Sequence, residues 1–168
     1  MENILARLRS FPGSVLVTSA PGRDSSCAGG LDDYFDSRPW LANDPTYRGF
    51  VEVVREFQAG DDSGFYVWIA PIEDEGFLEC EDEGYIGFCQ CGDLVEEIHL
   101  FFALSFGANG EYRGVYRRVK LFDRVVMPWH FFCHGFDVWL ERFAGAGGRL
   151  LSGDELADIH GMRSADTD

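Results

Sequence analysis

Cys89-Gln90-Cys91, with Cys80 upstream and His130, Cys133 and His134 downstream, is the sharpest grouping of chemistry-bearing side chains in this sequence. Thiolates and imidazoles that converge tetrahedrally hold zinc, and structural zinc sites show Cys/His pairs spaced by roughly two to four residues. Here a single residue separates Cys89 from Cys91. On a strand the two would share a face, which suits a core equally well, because free cysteine is among the most buried residue types. His130 and His134 are flanked by Pro128 and Gly135, which points to a loop leading into a helix. Packing is the favoured reading of this group. The alternative is a small metal-binding protein or enzyme that uses Cys89, Cys91, His130 and His134.

The second candidate is acidic. Residues 71–97 contain ten carboxylates and no Lys or Arg, and Glu73, Asp74, Glu75, Glu79, Glu81, Asp82, Glu83 and Asp93 form its bulk. The oxygen-ligand spacing of a calcium-binding loop is missing. A block of like charge stays solvated, or it serves as a docking surface for a basic protein. The sequence carries no phosphate-binding glycine loop, nucleophile elbow, paired-histidine zinc motif or dinucleotide fingerprint. The expectation is a protein that is not an enzyme and uses no cofactor.

Charge and composition narrow the partners. Fourteen Lys and Arg against 29 Asp and Glu give a formal net charge of −15. A field of that sign repels phosphate backbones and anionic headgroups, so the expected partner is a basic protein, with no nucleic acid and no membrane. An apolar fraction of 46% with 15 Phe, 6 Tyr and 4 Trp predicts a folded chain. At 168 residues, one domain is expected. The start, Met1 to Arg9, lacks the pattern of a secretory signal, and five irregularly spaced cysteines fit reduced thiols, so a cytoplasmic protein is expected. Oligomeric state is not encoded legibly, although an exposed Trp40, Tyr85 or Phe88 would suggest a subunit of a larger assembly.

Several elements must position these groups. Ile4, Leu5, Leu8 and Phe11 predict a helix over 2–10, and Ser14 to Thr18 a strand. Residues 19–43 read as a long loop. Asp44-Pro45 starts a helix whose stripe of Tyr47, Phe50, Val51, Val54 and Phe57 runs to Gly60. Phe65 to Ala70 reads as a central strand. His99 to Phe106 alternates strictly and turns at Asn109-Gly110 into a return strand from Tyr112 to about Phe122. Arg113, Arg117, Arg118 and Lys120 give that strand a basic edge, read as internal cross-strand pairing. Phe136, Trp139, Leu140 and Phe143 stripe one helix, and Ser152 with Glu155 boxes the start of another from Gly153 to about Met162, with Arg163 to Asp168 frayed.

Tyr47-Arg48-Gly49-Phe50 with Val54, Phe57 and Gly60, and Gly135-Phe136-Asp137-Val138-Trp139-Leu140-Glu141 after a β-rich acidic middle, resemble two segments of the SUKH (SMI1/KNR4) superfamily. The similarity covers roughly residues 44–143. Asn43-Asp44-Pro45 stands where the family commonly has Leu-Pro, and Gly135 where it has Ser. The resemblance implies a bacterial immunity protein that neutralises a toxin by occlusion; its motifs are packing patterns, and no catalytic residue follows from them. The whole chain, residues 1–168, is thus expected to be one α+β domain: a twisted, mainly antiparallel sheet over 65–122 with helices near 45–58 and 135–144.

Overall fold

The computed structural model describes residues 2–18, 35–36, 39, 41, 44–70, 84–122 and 124–165. Among these residues, four helices and seven strands follow in the order α1 (Glu2–Arg9), β1 (Val15–Thr18), α2 (Pro45–Val53), β2 (Val54–Gly60), β3 (Phe65–Ile69), β4 (Tyr85–Asp93), β5 (Ile98–Phe106), β6 (Tyr112–Leu121), β7 (Arg124–Cys133), α3 (Phe136–Gly145) and α4 (Gly153–Ala165). The strands form one antiparallel meander in sequence order. The fold is α+β, as the patterning predicts. No helix among the described residues is long and apolar enough to cross a membrane.

Alternation sets the two faces of the sheet. Phe57, Ile69, Cys89, Phe102 and Arg117 lie in register across β2 to β6 and face the helices. One position away on these strands, Gln58, Trp68, Gln90, Phe101 and Arg118 line the opposite face. On that face the Arg118 guanidinium lies 5.3 Å from the Phe101 ring centre and 4.8 Å from that of Trp129, and Tyr85 stacks on Trp129. On the inner face, Trp139 of α3 stacks on Phe136 and Phe143 and meets Phe88 edge-on at 4.7 Å. All four rings are fully buried. Ring pairs of this geometry stabilise by about 0.5–1.5 kcal/mol beyond their area burial.

Four expectations are corrected. The helix expected to reach 58 ends at Val53, and Val54–Gly60 is a strand paired with both β1 and β3. Val54 and Phe57, three apart, fit a helical stripe, but both also reach the inner face of β2 because pairing with β1 is irregular between Val17 and Thr18. The two adjacent β-branched residues, Val53 and Val54, favour the exit into extended backbone. The sheet also extends beyond 65–122, because β1 and β2 precede that range and β7 follows it. Pro128, read as a loop signal, is tolerated in β7: this is an edge strand, and the pairing with β6 slips between Arg117 and Val119, opposite the proline. In addition, α4 runs to Ala165, past the expected end at Met162.

Asp44 is buried to 5% exposure and joins three elements. Its Oδ1 accepts the Tyr47 N–H of α2 at 3.0 Å. Its Oδ2 accepts both the Phe136 N–H at the start of α3 and the Tyr112 hydroxyl of β6, each at 2.8 Å. Gly135, the residue before α3, offers no side-chain cap, so α3 is capped from 92 residues away in sequence. Asp44→Ala strands three donors, each worth about 1–3 kcal/mol when buried unpaired. The expected loss is on the order of 3 kcal/mol in urea unfolding, against about 1 kcal/mol for Tyr112→Phe, which removes one bond only.

Candidate functional site

Meander topology brings alternate turns to the same end of the sheet. The β2–β3 turn (61–64), the β4–β5 turn (94–97) and the start of the β6–β7 turn are stitched together, since Leu94 N–H donates to Gly64 O and Phe122 N–H to Glu97 O, both at 2.9 Å. Asp61, Asp62, Asp93, Glu96 and Glu97 therefore stand along one end, with Leu94 and Val95 exposed among them at 59% and 68%. The turn is built firmly. Asp93 Oδ1 accepts the Val95 and Glu96 N–H groups at 2.9 and 3.0 Å. Asp61 accepts the Ser63 N–H at 2.9 Å and also its hydroxyl, whose bond holds the Asp61 carboxyl below the ordinary carboxylate value.

Beneath this end lies a cavity of about 270 Å³. Its floor is Phe65 of β3, Cys91 of β4 and Ile98 and Leu100 of β5; its roof is Leu150, Leu151 and Leu156; its mouth carries Asp93, Glu96, Arg149 and His160. Gly148 makes the roof possible. With φ of +80° it ends the α3 turn, and a Cβ there would sit 2.9 Å from Phe65 and Val67 side-chain atoms.

Arg117 fixes the helix over the cavity. Val115, Arg117, Val119 and Leu121 alternate, so the arginine points inward with the valines, and it is 5% exposed. Its Nη1 donates to Leu150 O at 2.9 Å, and its Nη2 pairs with Glu155 of α4. Its Nε and Nη2 lie 3.3 and 3.2 Å from His130 Nε2, whose ring donates through Nδ1 to Pro128 O at 2.9 Å. Glu155 also closes the predicted capping box: it accepts the Ser152 N–H at 2.9 Å, and its own N–H donates to Ser152 Oγ at 3.2 Å. Burial alone would raise the Glu155 carboxyl, but the Arg117 and Ser152 donors outweigh it and hold the group below its ordinary value of 4.5.

The candidates read from sequence are scattered by this arrangement. Glu73, Asp74, Glu75, Glu79, Glu81, Asp82 and Glu83 lie outside the described residues, as do Cys27, Trp40 and Cys80; Asp93 sits at the acidic end. Cys89 and Cys91 are buried on β4, whereas His130 is on β7, with β5 and β6 between them, and His134 is exposed against Phe131. Among the described residues no group of three or more His, Cys, Asp or Glu is placed to hold a metal ion. Burial pushes the Cys89 thiol well up and that of Cys133 to about 11. Phe88 is fully buried, and Tyr85 is half-buried on Trp129. The basic strand pairs differently from expectation: Arg117 reaches α4, Arg118 and Lys120 lie over Phe101, and Arg113 meets Glu111 of its own turn. The inward parity of Arg117 was legible in the sequence; the cavity, assembled from four elements, was not.

No protein-family model, curated protein or solved structure matches the chain.

Arg117→Ala removes the donor to Leu150 O and the cationic partner of Glu155, which keeps its Ser152 bonds, and is expected to cost on the order of 3 kcal/mol in urea unfolding. The Glu155 contribution also has a pH signature. Its pKa is depressed in the fold, so its stabilisation is complete above the ordinary value of 4.5 and is lost as pH falls below it. The stability gap between the natural chain and Glu155→Gln should therefore shrink steadily as pH falls below about 5.

Proposed function

We propose that this chain is a non-enzymatic, cytoplasmic binding protein that neutralises a basic toxin domain by occluding it, in the manner of the SUKH immunity proteins it resembles. The observation that carries the reading is charge. Even if every Lys and Arg paired with a carboxylate, 15 carboxylates would remain without a cationic partner. Arginines are in fact spent internally, on pairs such as Arg7–Glu141, Arg48–Glu52, Arg117–Glu155 and Arg149–Asp61. Among the described residues Asp44 is the one buried carboxylate, so the acidic excess there lies unburied, where it steers a basic partner and raises association rates by tens to about a thousandfold.

The acidic end supplies more than steering. Leu94 and Val95, exposed on a turn held by two backbone–backbone bonds and two bonds to the Asp93 carboxylate, and ringed by carboxylates, have the form of an apolar anchor inside a charged rim. The sequence adds Glu73, Asp74, Glu75, Glu79, Glu81, Asp82 and Glu83 to the carboxylates proposed to engage the partner. A nuclease is the favoured toxin class, because its phosphate-binding cleft is the basic surface that clustered carboxylates imitate.

Tagged protein drawn from a lysate of the source organism at about 0.1 M and about 1 M salt, where the Debye length falls from about 10 Å to about 3 Å, tests this. A single stoichiometric basic protein should co-elute at low salt and weaken at high salt. Joint reversal of Glu81, Asp82 and Glu83, or Leu94→Asp with Val95→Asp, should weaken capture by at least about tenfold, near 1.4 kcal/mol. Recovery of the bare chain under both conditions, or of a partner indifferent to both sets of changes, would refute the occlusion reading.

A further inference from the structure

We propose that the cavity beneath α4 binds a small apolar cation, an aryl- or alkylammonium, with its hydrocarbon body inside and its ammonium at the mouth. This site is separate from the protein-docking reading and does not rest on it. Size comes first. An apolar cavity of about 150 Å³ is enough to hold benzene, so about 270 Å³ accommodates one ring with a short arm. The interior matches such a body, since Phe65, Ile98, Leu100, Leu150 and Leu156 present hydrocarbon. Ile98 and Leu100 are each only 2% exposed, so the floor belongs to the core and is shaped by the sheet.

Charge at the mouth selects the head group. Asp93 and Glu96 line it together with Arg149, which is already engaged, 3.3 Å from Asp61 and over the Phe65 ring at 4.5 Å. With Asp61 counted, three carboxylates face one guanidinium, an excess of negative charge set within an acidic molecule. His160 Nδ1 lies 4.0 Å from Glu96 Oε2, which places that carboxylate within reach of a nitrogen donor at the rim. An anionic head group of the same shape would meet that field as repulsion. The roof is held in place by side chains that do not line the cavity, Arg117 and Glu155 in one pair and Ile159 at 1% exposure, so the space persists without an occupant.

Three shape-matched probes distinguish head groups in an NMR titration of the full chain: 2-phenylethylamine, 2-phenylethanol and 3-phenylpropanoate. The amine should bind one to one, shift the Leu100 and Leu156 methyl signals, and bind at least about tenfold more tightly than the alcohol, with no saturable binding of the propanoate. Glu96→Gln should erase most of the amine's advantage while leaving the alcohol's affinity unchanged. Leu156→Phe fills the cavity from the roof and should abolish binding of all three; if it fails to fold, Leu151→Phe makes the same test. Equal affinity for the three probes, binding of none, preference for the propanoate, or amine binding undiminished in the filled variant would each overturn the proposal.

Discussion

A single buried carboxylate, Asp44, sets the geometry of the helical layer. Its two oxygens accept from the first turn of α2, the first turn of α3 and the hydroxyl of Tyr112 on β6. Helix starts leave backbone N–H groups unpaired, and in an interior without water each must find an acceptor. One side chain meets that need for both helices, so their N-termini must converge on one point above the sheet. From there α2 and α3 direct Tyr47, Phe50, Phe136 and Trp139 into a single aromatic cluster against Phe88. The Tyr112 hydroxyl is correspondingly hard to ionise, because burial and the adjacent carboxylate both oppose a second negative charge.

Farther along β6, the fold uses a buried cation. Of the residues in α4 whose side chains are described, Ile159 is the one that is fully buried, so this helix has little apolar surface with which to dock itself. Arg117 supplies what the helix lacks, holding Glu155 and the carbonyl of Leu150 from within the sheet. An ion pair fixes distance and direction without filling volume. The helix is therefore held beside the sheet instead of being sunk into it, and the cavity is the space that remains. The residues that shape the mouth and those that hold the roof are different, which lets one vary without the other.

Charge links these two features. An interior that admits only Asp44, Ser105 and Arg117 among buried polar side chains in the described residues leaves the other described carboxylates unburied. Meander topology then gathers the β2–β3 and β4–β5 turns, so carboxylates far apart in sequence form one acidic end. Hydrogen bonds from turn to turn make that end rigid, and rigidity lowers the entropic cost of engaging a partner.

Much of this was legible in the sequence by itself. The alternation of β5, the Ser152–Glu155 capping box, the Asp44 cap of α2 and the aromatic stripe of α3 all follow from periodicity and local hydrogen bonding; the hairpin turn does so in place, but of the expected positive-φ pair Asn109-Gly110 only Gly110, at φ of 73°, adopts that backbone. So does the charge excess, which is a matter of counting. Tertiary structure decided the rest. Val54 and Phe57 fit both a helix and an irregular strand, and pairing with β1 and β3 chose the strand. Pro128 breaks a central strand but not an edge, and the sheet order made β7 an edge. Local periodicity specifies which side of an element is apolar, because that depends on neighbours three or four positions away. It does not specify which distant donor a buried Asp44 or Arg117 will meet, because that partner comes into reach only when the whole sheet has closed on its helices.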